Sequence, residues 1–186
     1  MELHTERLLL REFLPADFAA VHDFAANPAT TEFVEWGPNT EQDTTEFLDF
    51  CLSHAAAVPR TAYLLAITGI NGPLLGTIGL TIRGREAEIG YTLNPAFWGR
   101  GYATEAATAL LDFGLANLGL DRVTATCRPE NTASAGVLQK LGMTPCGRIK
   151  NDRLIRGSWL DTLVFAIDAR HPAKSKPDGH MKFTAS

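Results

Sequence analysis

Several things are scarce in this chain of 186 residues. Basic residues do not outnumber acidic ones: 17 Lys and Arg stand against 21 Asp and Glu, a formal net charge of −4. That balance argues against a nucleic-acid-binding surface. No apolar run approaches the length that crosses a bilayer, and no basic start followed by an apolar stretch marks a secretory signal. Cysteines number three, Cys51, Cys127 and Cys146, without C-x-x-C spacing; reduced thiols in a cytoplasmic protein are expected. The five histidines show no ligand spacing, which predicts no bound metal. Internal repeats are absent, and so is the GK[ST] ending of a Walker loop. What remains is one globular domain, 45% hydrophobic, with neither nucleic acid nor membrane among its expected partners.

The chain that is there reads as alternating strands and helices. Residues 7–13 form an opening strand, and Pro15 suits the first turn of a helix that buries Phe18, Val21 and Ala25 and stops at Asn27-Pro28. Thr40 followed by Asp43 resembles a capping box for a second helix burying Phe47, Cys51 and Ala55. Between them, the loop with Phe33, Val34 and Trp36 either walls a substrate pocket, with Trp36 as the contact, or packs as plain core. Three strands follow at 62–67, 74–82 and 86–93, turned at Asn71-Gly72 and Arg83-Gly84-Arg85 as an antiparallel meander. A central helix then leads to a strand at 122–127, parallel to 86–93 by the crossover rule. A helix at 131–141 and strands at 145–150 and 159–168 complete an α+β mixed sheet of six to seven strands with about four helices. The domain is expected over residues 1–170, with 171–186 a loosely held tail poor in residues to bury.

The distinctive stretch runs from Glu88 to Ala107. A β-rich segment closes on Asn94-Pro95, passes a corner at Trp98-Gly99-Arg100-Gly101-Tyr102-Ala103, and becomes the central helix. Glycine lets the backbone approach an anion and reaches positive φ without penalty. Free N–H groups at a helix start then face that anion, with the positive helix end behind them. Arg100 is placed to meet a further phosphate. On the residues alone an anion cradle and a purely structural helix entry both stay open. A dinucleotide loop fits poorly, because Thr104 stands where a third glycine belongs and the corner follows a meander.

The wider pattern resembles the GNAT superfamily of acyl-CoA-dependent N-acyltransferases. Its signature, [Gln/Arg]-x-x-Gly-x-[Gly/Ala], is matched by Trp98 to Ala103 except at Trp98 itself. That departure is similar to the ribosomal-protein (RimJ/RimL-like) branch, as are Thr5-Glu6-Arg7-Leu8-Leu9-Leu10-Arg11 and Asn131-x-x-Ser134. The resemblance covers about residues 8–167. It implies the GNAT fold, acetyl-CoA as co-substrate and a primary amine as acceptor, with a protein N-terminal α-amino group as first choice. Small-molecule amines (an aminoglycoside, a polyamine or an amino acid) are the alternative, and a CoA-binding sensor without turnover is a third reading. A homodimer is one assembly the resemblance admits.

Carried over position by position, the resemblance makes the corner amides, Arg100, Gly101, Tyr102, Ala103 and Thr104, the pyrophosphate contacts. The pantetheine arm would follow Tyr91, Thr92 and Leu93, with the Asn131 side chain bonding it. An alkylammonium, with a pKa of about 10.4, must lose a proton before it attacks. Glu88, ten residues before Trp98, resembles the glutamate base of histone-acetylating relatives and would act through water; a solvated strand-edge glutamate is the plain alternative. The oxyanion wants N–H donors, which strand residues 91–93 can supply. Ser134, matching the serine of RimL-like enzymes, would protonate the departing thiolate, unless its hydroxyl makes a local helix-start bond. As side chains Tyr91 and Tyr102 read as packing. Where RimL-like enzymes carry a second glutamate, Arg153 aligns. Asp161 either orients the acceptor amine or buttresses the final hairpin.

Overall fold

The computed structural model describes residues 1–169; the expected tail at 171–186 lies outside the described residues. Eight strands form one sheet: β1 Glu2–His4, β2 Leu8–Glu12, β3 Ala62–Gly69, β4 Leu74–Arg83, β5 Glu86–Leu93, β6 Arg122–Cys127, β7 Thr144–Ile155 and β8 Ser158–Asp168. Among the described residues five α-helices accompany it: α1 Phe18–Ala25, α2 Pro28–Thr31, α3 Glu41–Ala56, α4 Tyr102–Asp112 and α5 Thr132–Lys140. The spatial order is β1-β2-β3-β4-β5-β6-β8-β7. Every neighbouring pair is antiparallel except β5 with β6. The parallel crossover and the meander thus appear as the sequence predicts.

The sheet is buried on both faces at its centre, and the alternation of β3 shows why. Leu65 and Ile67 enter the larger core with Ile78, Leu80, Ile89, Ala107, Leu110 and Leu138, under α4 and α5. Ala66, between them, joins Phe13, Val21, Phe24, Leu48 and Cys51 under α1 and α3. Successive side chains of a strand point to opposite faces, so one strand serves two cores. Among the described residues no helix is long and apolar enough to cross a membrane.

Three features exceed the sequence reading. Strand β1 is a three-residue edge held by β2 in register Glu2↔Arg11 to His4↔Leu9; three residues carry too little pattern to be read. Asn27, read as a stop, ends α1 but also caps α2, its side chain accepting the Ala29 N–H at 2.9 Å. Strand β7 continues to Ile155 because an irregularity around Asn151, at φ 48°, absorbs extra residues without ending the ladder. The hairpin then turns on Arg156-Gly157, both at positive φ, the geometry of a tight two-residue turn.

Candidate active site

The site begins where the parallel ladder stops. β5 and β6 pair over Glu86↔Arg122, Ala87↔Val123 and Glu88↔Thr124, and no further. Beyond Glu88 the two strands splay, and the β5 edge facing the gap keeps backbone groups with no ladder partner. Gly90 faces open space there. A cleft of about 960 Å³ opens at this point, lined by Glu88 to Thr92 on one strand and Ala125 to Arg128 on the other. Asn131 and Ser134 of the α5 entry also line it, and so do Phe33, Val34, Glu35, Trp36 and Gly37 of the loop after α2. Glu88, Tyr91, Thr92, Asn131, Ser134 and Trp36 are therefore brought together.

Glu88 is exposed to the cleft, and the hydroxyl of Thr126, two residues past the last rung, donates to its Oε1 at 3.3 Å. Ser134 occupies the third position of α5, its N–H donating to the capping Asn131 Oδ1 at 3.0 Å. With Oδ1 so engaged, the Asn131 amide nitrogen is the group left to meet a ligand. The Ser134 Oγ lies 3.1 Å from the Tyr91 hydroxyl, which also donates to the Ser134 carbonyl at 3.3 Å. Burial pushes the Tyr91 phenol up to about 12, against a smaller downward pull from Ser134. Tyr91 stays a neutral hydroxyl at ordinary pH and locks the serine across the gap. Packing, expected for Tyr91, is only half its part.

Leu93, buried in the core, and the corner residues stand outside the cleft lining. Gly99 and Gly101 take φ of 72° and 80°, and Gly101 is the N-terminal cap of α4 with no side chain to offer. The first-turn N–H groups of Tyr102, Ala103 and Thr104 therefore have no acceptor within the helix. Gly99 has nothing near the place of its missing Cβ, and Gly99, Arg100 and Gly101 are exposed. Uncapped donors, room for close approach and a nearby guanidinium fit a pyrophosphate. Trp98, the one departure from the signature, donates its indole N–H to the Leu93 carbonyl at 2.8 Å and ties the strand end to the corner.

The corner is braced from behind by residues near the start of the chain. Arg7 donates Nη1 to the Arg100 carbonyl at 3.0 Å and Nε to Glu105 at 2.6 Å, with its guanidinium 4.7 Å from the centre of the Tyr102 ring. The Thr5 hydroxyl and the Arg7 N–H reach the other Glu105 oxygen at 2.6 and 2.9 Å. Burial raises the Glu105 carboxyl, but these bonds outweigh it and hold it below the usual range. The Thr5-Glu6-Arg7 motif thus has a physical use: it neutralises a carboxylate in the first turn of α4.

Asp161 is placed elsewhere. It accepts the Asn151 N–H at 2.9 Å and Arg148 Nε at 2.7 Å, bracing the β7 irregularity. The backbone bond first, and Arg148 second, hold its carboxyl low. Asp161 is not among the cleft residues, so the buttressing alternative is the one its bonds describe. Arg153, where a family glutamate aligns, lies 3.3 Å from both Glu35 and Asp152.

Four carboxylates line the cleft: Glu35, Asp43, Glu46 and Glu88. The basic residue in the lining, Arg128, is buried and donates to the Thr162 hydroxyl and, at 3.4 Å, to the Asp161 carbonyl. As cleft residues Asp43 and Glu46 carry no mark in the sequence: Asp43 reads as the capping-box partner of Thr40, which it is, and both exposed side chains border the cleft only because α3 lies over the sheet.

Comparison with known proteins agrees with this geometry. Residues 7–144 match the model of the acetyltransferase (GNAT) domain. An uncharacterised N-acetyltransferase of Bacillus subtilis (strain 168), YnaD, is 33% identical over 170 residues, 90% of this chain and 96% of that one. The crystal structure of a GNAT-family acetyltransferase from Bacillus anthracis superposes with a TM-score of 0.82 at 32% identity, covering 92% of this chain and all of that one. Mycobacterium smegmatis RimJ, solved in complex with CoA-disulfide, gives 0.77 at 27% identity, covering 91% and 86%. With its splayed parallel strands, uncapped glycine corner and matching domain model, the chain belongs to the GNAT family and is an acetyl-CoA-dependent N-acetyltransferase.

Proposed function

We propose that the acceptor is a small amine carrying more than one positive charge, a diamine or polyamine type of molecule. The observation that carries this is the lining of the cleft: four carboxylates, of which Glu35 pairs with Arg153, against the guanidinium of Arg128, whose Nη1 is engaged by Thr162 and Asp161. Charges of one sign in a low-dielectric cleft concentrate the opposite charge on the ligand. In this reading acetyl-CoA supplies the activated acetyl thioester, its pyrophosphate on the amides of residues 101–104 and its arm along Tyr91, Thr92 and Leu93. Glu88 takes the ammonium proton through a water. As the C–N bond forms, N–H groups of the unpaired β5 edge receive the charge on the carbonyl oxygen. The C–S bond then breaks, Ser134, oriented by Tyr91, gives its proton to the sulfur, and the extra proton on the new C–N nitrogen leaves to restore the serine hydroxyl.

A second reading has its own support. Trp98, the Thr5 to Arg11 segment and the Asn131/Ser134 pair resemble the RimJ/RimL-like branch, and RimJ is a relative at 27% identity. A protein N-terminal α-amino group would then be the acceptor. Thiol release from acetyl-CoA separates the two. Putrescine and spermidine should exceed alanyl- and seryl-peptides in kcat/KM by about tenfold, and salt should erode the advantage. Peptides turned over better than either polyamine would overturn the small-amine reading. Cofactor binding without thiol release across the panel would mark a binding module.

A further inference from the structure

The cleft wall formed by residues 32–37 is fastened from a distant part of the chain. Arg156, at the tip of the β7–β8 hairpin, donates Nη1 to the carbonyls of Glu32 and Val34 at 3.2 and 3.4 Å. Its Nη2 donates to the Thr31 hydroxyl at 3.0 Å and the Gly37 carbonyl at 3.5 Å. One planar fork thus gathers four oxygens spread over seven residues of loop, a geometry a point-charge ammonium cannot copy. Arg153 adds an ion pair to Glu35 from the same hairpin. Between these anchors lie Phe33, Val34, Glu35 and Trp36, all facing the cleft.

Turn chemistry does not account for an arginine here. Arg156 sits at φ 47° in the first place of a two-residue turn, where Asn, Asp or Gly is the favoured residue. An unfavourable backbone position filled by a side chain with four bonds points to a use for the side chain.

We propose that Arg156 is a positioning residue for the acceptor: by bonding the 32–37 loop to the hairpin it holds Glu35 and Trp36 where the incoming amine meets them. This rests on the amine-acetylation reading, and it adds the hairpin tip as the element that sets acceptor affinity. The Arg156→Asn variant tests it, because asparagine suits the positive φ and should leave the hairpin intact while removing the fork. With putrescine as probe, the acceptor KM should rise by about tenfold or more, as misplaced binding groups commonly cost. The acetyl-CoA Kd, titrated without acceptor, should not change, and unfolding should stay cooperative, with the melting temperature lowered only modestly by the lost loop bonds. Arg156→Lys should recover part of the loss, since an ammonium reaches fewer of the four oxygens. An unchanged acceptor KM in Arg156→Asn overturns the proposal, and so does an acetyl-CoA Kd that weakens in step with it. A wild-type protein that releases no thiol with any amine overturns the underlying reading as well, so the two failures are told apart by which protein shows them.

Discussion

At the scale of single residues, Glu88 stands on the last rung of the parallel ladder with a threonine hydroxyl on one oxygen and the cleft before it. Proton removal by such a group is worth about 10²- to 10⁴-fold. Glu88→Gln should lower kcat by that order near neutral pH, and the deficit should shrink as pH approaches the amine's own pKa of about 10.4, where the acceptor arrives already neutral. A pH–rate profile of the two proteins checks this; parallel profiles would remove Glu88 from proton transfer. Glu88 and Ser134 could be picked from the sequence because each stands at a fixed distance from a marked feature. Tyr91 could not be paired with Ser134, since 43 positions separate them and the splay that brings them together is tertiary. Arg156 gave no signal, its four acceptors being loop oxygens that any sequence would provide.

At the scale of elements, the strand, corner and helix from Glu86 to Asp112 form the unit proposed to hold the cofactor. Its corner requires two residues at positive φ, and a side chain at such a position costs about 1–3 kcal/mol. A Cβ at Gly101 would meet nothing closer than the Arg7 guanidinium at 3.5 Å, an ordinary contact, so the cost is the backbone's own. Gly101→Ala should therefore weaken acetyl-CoA binding by about tenfold or more while the acceptor cleft keeps its shape. Calorimetric titration reads this directly, and an unaltered Kd would refute the anion cradle. This element was legible because glycine, apolar periodicity and the Asn-Pro stop each mark it locally. The β7–β8 hairpin was underestimated by contrast: its irregularity around Asn151 breaks the two-residue alternation on which strands are recognised.

For the whole molecule, several carboxylates share one condition. Asp17 with Arg11, Glu12 with Arg60 and the N-terminus, and Glu105 with Arg7 are pushed up by burial, yet the partners prevail and hold all three low. A carboxyl depressed in the folded state stabilises it above the unfolded value and loses that contribution as pH falls through the folded one. The ordinary values are 3.8 for Asp and 4.5 for Glu. The melting temperature should hold between pH 7 and 5 and fall steadily below about pH 4.5. A melting temperature flat to pH 3 would show that these pairs contribute nothing to the balance. The sheet's composition followed from alternation and turn residues; its cleft did not, because loops, one helix face and a hairpin tip converge there without a shared local pattern.

The three rungs between β5 and β6 have a mechanical side. Five strands lie on one side of that seam and three on the other, so the narrowest interior joint of the sheet coincides with the place where catalysis needs a gap. A pulling force across the sheet meets the fewest interior rungs there. A thioester arm laid along the open edge would act as a splint, carrying load between halves whose backbones pair only at one end.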